Sequence, residues 1–319
     1  MSRQEESLRP EEFAEAAVAA VSDVLDRGVR DTATVLAAAG LLGVCAQESR
    51  GGLGLGLAFG VPVCEAAGSL QLHFPLVQQM VLAKAFADSD IAQALIAGEK
   101  IATIAWQGSV AEKSASHASY ADACDWILVA DETGASLLET ASLRLQANGT
   151  MDPEYPQFDV DLASAVVKAR LSADAFATLK DDALVLSAGF INGLSAEALT
   201  RTAQYTSTRV QFARPLSAKQ VVRHTLARMQ LLHETSTAAL RRALLTNEFG
   251  ASRDVAPAFS GALGNAVFII EKAIHLHGGM GFTWELPLHY SLREVHKIEA
   301  AFNNGRRLEG LGAQFIATV

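Results

Sequence analysis

Arg209-Val210-Gln211-Phe212-Ala213-Arg214-Pro215-Leu216 interrupts a helical pattern, and His275-Leu276-His277-Gly278-Gly279-Met280-Gly281-Phe282-Thr283 closes a later one. Around these two stretches, apolar residues recur at spacings of three and four over 181–208, 218–249 and 258–277. Pro215 and Pro257 fall in the gaps, where a residue without an N–H is tolerated. The spacing predicts long helices packed as a bundle. Arg209 offers a planar five-donor fork suited to a diphosphate, Gln211 can donate and accept beside it, and Phe212 supplies a flat apolar face. The same octapeptide also describes a helix end whose arginine meets a carboxylate. One glycine suffices to stop a helix, so three within four residues predict a backbone that bends sharply and admits another group.

Upstream of the bundle the texture changes twice. Residues 10–98 are rich in Ala, Leu and Val at helical spacing, with a helix expected over 11–26, Asp31 as the N-cap of a second and Gly40 as its stop. A glycine-rich loop follows at 48–56, then further helical pattern through 63–67 and after Pro75. From Glu99 to Leu171 the period shortens, and 101–106, 126–130, 143–145 and 165–167 read as strands between turn-formers that include Asp131, Gly134, Asn148-Gly149, Pro153 and Pro156. The order predicts an α+β, mostly α fold: an amino-terminal helical domain (1–98), a small β domain (99–171) and a carboxyl-terminal four-helix-bundle-like domain (172–319).

A formal net charge of −9 without a dense basic patch argues against nucleic acid. The polar start, MSRQEESLRP, lacks an apolar signal segment, and the apolar runs are short and interrupted, so neither export nor a membrane span is expected. Cys45, Cys64 and Cys124 lie far apart without metal-ligand spacing and read as buried thiols of a cytoplasmic protein. Glu271 with His275, and His233 with Glu234, form pairs without a complete ligand set, so no metal is expected.

Taken together, the two motifs resemble those of the acyl-CoA dehydrogenases, whose carboxyl-terminal domain carries R-x-Q-F-G-x-P, a helix with Q at its start, and Q-x-h-G-G-x-G-[FY]. Arg209, Gln211, Phe212 and Pro215 match the first, Gln220 the second, and His277, Gly278, Gly279, Gly281 and Phe282 the third. Thr283, Glu285, Pro287 and Arg293 continue the likeness, and GLLGVCAQESRGGLGLG resembles a glycine-rich element of the family's amino-terminal domain. The resemblance implies FAD as cofactor and an acyl-CoA as substrate. It also implies a homo- or heterotetramer with a homologous subunit, and electron-transfer flavoprotein as acceptor. It gives Arg209, Gln211, Phe212, His275, Gly278 and Gly279 the ADP half of an FAD whose flavin ring sits in the neighbouring subunit. His275 stands in the place of the usual glutamine and Ala213 in that of a glycine.

Departures cluster at the opposite half of such a site. The family's T-E-P and G-S-D segment, which closes over the flavin ring and the thioester, is replaced by Ala105-Trp106-Gln107-Gly108-Ser109, and no W-x-x-S element is recognisable. The commonest place of the catalytic glutamate reads Phe302-Asn303-Asn304. A minority of members put it before l-v-l-a-x-G, which here is 184–189, with Asp182 in that place. Asp181-Asp182 reads either as the acidic start of a helix or, at Asp182, as a base one methylene shorter than glutamate. The retained motifs serve a neighbour's flavin and the lost ones a chain's own. The expectation is therefore an acyl-CoA dehydrogenase-family subunit of a heteromeric enzyme, of the kind that acts on steroid side chains and other bulky acyl-CoAs. The alternatives are a complete enzyme using Asp182 and a flavin-free scaffold.

Overall fold

A computed structural model describes residues 9–149, 152, 155–245 and 254–317. The polar first residues, the expected turn at Pro153 and the expected helix end at Phe249 lie outside the described residues.

Among the described residues, five α-helices come first: α1 (Pro10–Ser22), α2 (Val29–Ala38), α3 (Leu57–Ser69), α4 (Leu76–Ala85) and α5 (Asp90–Ile96). The first ends earlier than its pattern suggested, and α2 is preceded by Gly28 rather than capped by Asp31, which lies in its first turn. Gly40 stops that helix as expected, at a φ of +74°.

Seven strands follow among the described residues: β1 (Ala102–Ser109), β2 (Ser114–Ser119), β3 (Trp126–Asp131), β4 (Gly134–Glu139), β5 (Arg144–Asn148), β6 (Gln157–Asp161) and β7 (Val167–Ser172). They form one sheet in the order β5-β6-β2-β1-β3-β4-β7, antiparallel except for the parallel pair β1 and β3. Alternation along β3 and β4 divides the sheet between two cores. Trp126, Leu128, Ala135 and Leu137 face the helices, whereas Ile127, Val129 and Leu138 join Phe158 and Val160 in a smaller cluster.

The carboxyl-terminal part contains α6 (Ala173–Thr208), a two-stranded ribbon of β8 (Val210–Gln211) and β9 (Arg214–Pro215), then α7 (Gln220–Ala243), α8 (Ala256–His277), α9 (Leu288–Ala301) and α10 (Asn304–Ala317). The α+β, mostly α arrangement stands as the pattern predicted. The longest helix begins eight residues before the expected 181, capped by Ser172, whose hydroxyl accepts from the Ala175 N–H. Asp181-Asp182 therefore does not start a helix; it lies two turns inside one.

At 36 residues, α6 is long and apolar enough to cross a membrane, yet 83% of its most apolar stretch is buried within the protein. Its partners are α3 and α8. The helix pair α3 and α6 meets backbone to backbone, because a Cβ on Gly68 would fall 2.0 Å from the Phe190 carbonyl oxygen and one on Gly193 2.0 Å from that of Glu65. Glycine is thus required at both positions by close approach.

Candidate functional site

The two glycine- and arginine-bearing motifs come together at one end of the bundle. Tyr205, in the last turn of α6, stacks on His277, the last residue of α8, with ring centroids 4.4 Å apart. His277 is buried, its Nδ1 lies 2.8 Å from the Ala273 carbonyl, and burial pushes its pKa down, so it serves as a neutral packing group. His275, two residues earlier, is exposed.

Arg209 lies one turn beyond that stacked tyrosine. Its N–H donates to the Tyr205 carbonyl, its own carbonyl accepts from the Leu216 N–H, and its side chain stands in solvent. Gln211 pairs with Arg214 across the ribbon. Phe212 and Ala213 make the turn between β8 and β9, both in left-handed backbone at φ +54° and +60°. This conformation throws Phe212 outward to 88% exposure, with Lys219 Nζ 5.0 Å from its ring centroid.

The three glycines beyond His277 have three different reasons. Gly278 adopts φ +62° and ψ −137°, a region open essentially to glycine. Gly281 packs, since a Cβ there would fall 2.2 Å from the Ile274 carbonyl oxygen. Around Gly279, as around Gly278, nothing lies within 4 Å of where a Cβ would be. Phe212, Met280 and Phe282 are exposed as well, so each motif presents accessible groups beside the Tyr205–His277 stack that joins them.

A second feature lies between the sheet and the helices. A cavity of about 50 Å³ is lined by Leu72, Phe74, Trp106, Tyr120, Ser187, Phe190, Glu294 and Phe302 among others. Its one carboxylate among those lining residues is Glu294, which receives a 2.7 Å hydrogen bond from buried Lys297; that ammonium also donates to the Tyr155 carbonyl at 3.1 Å. Burial, with Glu294 nearby, holds the Tyr120 phenol in its neutral form. At the edge of the cavity, Trp106 packs on Phe302 at 4.3 Å between ring centroids. Gln107 Nε2 donates to the carbonyl of Ala300 at 2.6 Å, so the end of β1 is fastened to the last turn of α9.

Asp182 does not line this cavity. It is buried and paired with Lys84 of α4, Oδ2 to Nζ 2.5 Å. Burial raises its pKa more than the lysine lowers it. The structure therefore gives it an ion-pair role between α4 and α6 and does not bring it to the cavity.

Residues 177–301 match the family model described as acyl-CoA dehydrogenase, C-terminal domain. That span runs from the first turns of α6 to the end of α9 and contains both motifs. Residues 177–301 thus match the acyl-CoA dehydrogenase C-terminal domain, and the chain as a whole shares the fold of acyl-CoA dehydrogenases.

Among curated relatives, it is 28% identical over 204 residues to acyl-CoA dehydrogenase FadE28 of Mycobacterium tuberculosis, covering 61% of this chain and 59% of that relative's length. It is 25% identical over 252 residues to acyl-CoA dehydrogenase IpdE2 of Mycolicibacterium smegmatis, covering 78% and 76%. In fold it is similar to the Tcur3481-Tcur3483 steroid ACAD, with a TM-score of 0.85 at 22% identity over 97% of this chain and 98% of that one. The ChsE4-ChsE5 complex of Mycobacterium tuberculosis gives 0.85 at 22% identity over 96% and 97%.

Within an acyl-CoA dehydrogenase frame, the residues anticipated for the ADP half, Arg209, Gln211, Phe212, His275, Gly278 and Gly279, all lie on one accessible end of the bundle. Glu294, Lys297 and Tyr120 were not anticipated from sequence. No spacing announces them, because the cavity that joins them is assembled from β1, β2, α6 and α9.

Proposed function

We propose that this chain is the partner subunit of a heteromeric acyl-CoA dehydrogenase and supplies the ADP-binding half of an FAD site completed by a longer homologous subunit. The observation that carries this reading is the fastening of Gln107 to Ala300 and of Trp106 to Phe302. The Ala105–Ser109 segment corresponds to the family loop that closes over the flavin ring and thioester, and here it closes on the protein itself. The space left is about 50 Å³, far below the roughly 300–1,000 Å³ of a small-molecule pocket.

The donor set fits the other half of the cofactor. Arg209 is exposed and has no acidic partner in a salt bridge among the described residues, so its fork is available to a pyrophosphate. Gln211, Phe212 and His275 are likewise exposed, and the open backbone at Gly278 and Gly279 leaves room for a dinucleotide without a Cβ in the way. FAD bound there supplies the two-electron acceptor for α,β-dehydrogenation of an acyl-CoA in the partner's site. This chain's own residues hold the adenine end and exclude water around it through Phe212, Met280 and Phe282. Steroid-derived or similarly bulky acyl-CoAs are the substrate class, and electron-transfer flavoprotein the acceptor.

The test is the flavin content of the chain purified alone and with its longer homologue. Flavin and dehydrogenase activity that appear only in the complex support the reading. A chain that retains FAD and oxidises an acyl-CoA on its own sinks it.

A further inference from the structure

Along the solvent side of α7 and α8 runs a groove of about 520 Å³, lined by Gln220, His224, Thr225 and Arg228 of the first helix and by Phe268 and Lys272 of the second. Its volume falls in the range that holds a small organic molecule. Val221, 72% exposed, gives it an apolar rim.

Positive charge without a counter-charge marks this groove. The Arg228 guanidinium lies 4.5 Å and the Lys272 ammonium 5.6 Å from the centroid of the Phe268 ring, so one aromatic ring serves two cations. Neither forms a salt bridge among the described residues, and no acidic side chain lines the groove. Two cations gathered over one ring repel each other, and an anion shared by both removes that cost. The two charges are at most about 10 Å apart, the sum of their distances to the centroid. With charge-assisted hydrogen bonds of about 2.8 Å at either end, an anion about 4 Å across bridges the widest such gap.

A third donor stands on α7. Gln220 Nε2 lies 3.3 Å from His224 Nε2; with that ring nitrogen accepting, the imidazole proton sits on Nδ1 and is free to donate. The groove thus offers a planar guanidinium, an ammonium and an imidazole N–H. A carboxylate is satisfied by one guanidinium, whereas a phosphate or diphosphate, with more oxygens and more charge, uses all three. A cation would meet Arg228 and Lys272, and a neutral molecule would leave their repulsion in place. We propose that this groove binds a small phosphate ester or diphosphate, its oxygens on Arg228 and Lys272 and its organic part against Val221. Of the lining residues only Gln220 belongs to a flavin-directed motif, and Arg228 lies two turns, about 12 Å, further along α7. The inference does not rest on the flavin assignment.

The test is the histidine ring spectrum of the full chain as sodium pyrophosphate is added at constant ionic strength, with the His224 resonance assigned through His224→Gln. His224 is expected to shift to saturation. Arg228→Gln and Lys272→Gln each remove one charge from an exposed or half-buried position, and each should weaken the response by about tenfold. Arg209→Ala should leave it intact, so that failure here and failure of the flavin reading are told apart. No saturable shift, a response undiminished in Arg228→Gln, or one lost in Arg209→Ala would overturn the proposal, the last by assigning the bound phosphate to the Arg209 surface.

Discussion

At 2.5 Å from Lys84 Nζ and two turns inside α6, Asp182 has its charge already engaged. Since burial raises its pKa despite the lysine, the pair contributes little net stability. Asp182→Asn is expected to cost about 1 kcal/mol in urea unfolding and to leave turnover of the assembled enzyme within about twofold. A hundredfold loss of turnover with unchanged stability would restore Asp182 as a base. Ala213 offers the converse change. It holds a left-handed φ of +60° where the family has glycine, so Ala213→Gly should stabilise the fold by about 1 kcal/mol, read in the same unfolding measurement. Glu65 carries the pH dependence. Burial raises its pKa from 4.5 to about 7, opposed by Arg241, with His233 and Glu234 the other titratable groups lining the open cleft where α1, α3, α6 and α7 meet. A raised carboxyl pKa means that the folded state binds the proton more tightly, so stability is lost as pH rises from about 4.5 through about 7. Glu65→Gln should remove that slope. It should be more stable than the parent by about 1 kcal/mol at about pH 8, after discounting for water in the cleft, and nearly equal to it below the ordinary carboxyl pKa.

The elements most legible in the sequence were those rich in apolar residues. These recur at spacings of three and four along α7 and α8, and in near-continuous runs along the buried centre of α6 and the starts of β1 and β3. β2 and β6 were not legible, for SASHAS and QFDVD hold too few apolar residues to show alternation, and β4 hides its pattern in GASLLE. The start of α6 was misjudged because a helix can begin directly from strand β7 when Ser172 caps it, without an intervening loop. The α3 and α6 crossing was invisible in the sequence, since two glycines inside helices read locally as weak points and only the packed partner shows their need. Gly193→Ala should cost about 3 kcal/mol or prevent folding, because its Cβ meets backbone that cannot rotate away. Stability unchanged in that variant would mean that the helices are farther apart than described.

For the whole molecule, the candidate site divides in the same way. The residues proposed for the ADP side stand in two local motifs at helix ends, which is why a sequence alone can name them. The closure at the other side was readable only as missing residues; that Gln107 and Trp106 fill the gap with contacts to α9 emerged from the packing of two distant segments. The cavity with Glu294 and Lys297 likewise depends on tertiary contacts. An open surface at the proposed adenine side, with the Ala105–Ser109 region closed on α9, is the combination that the proposed partner-subunit role requires.

The direct measurement is bound FAD per complex after co-expression with the longer homologue, for the parent chain and for Arg209→Ala. The account predicts a flavin-loaded parent complex, a flavin-free parent chain alone, and about tenfold or greater loss of flavin retention in the variant complex. Full retention in Arg209→Ala, or FAD held by the isolated chain, would contradict it.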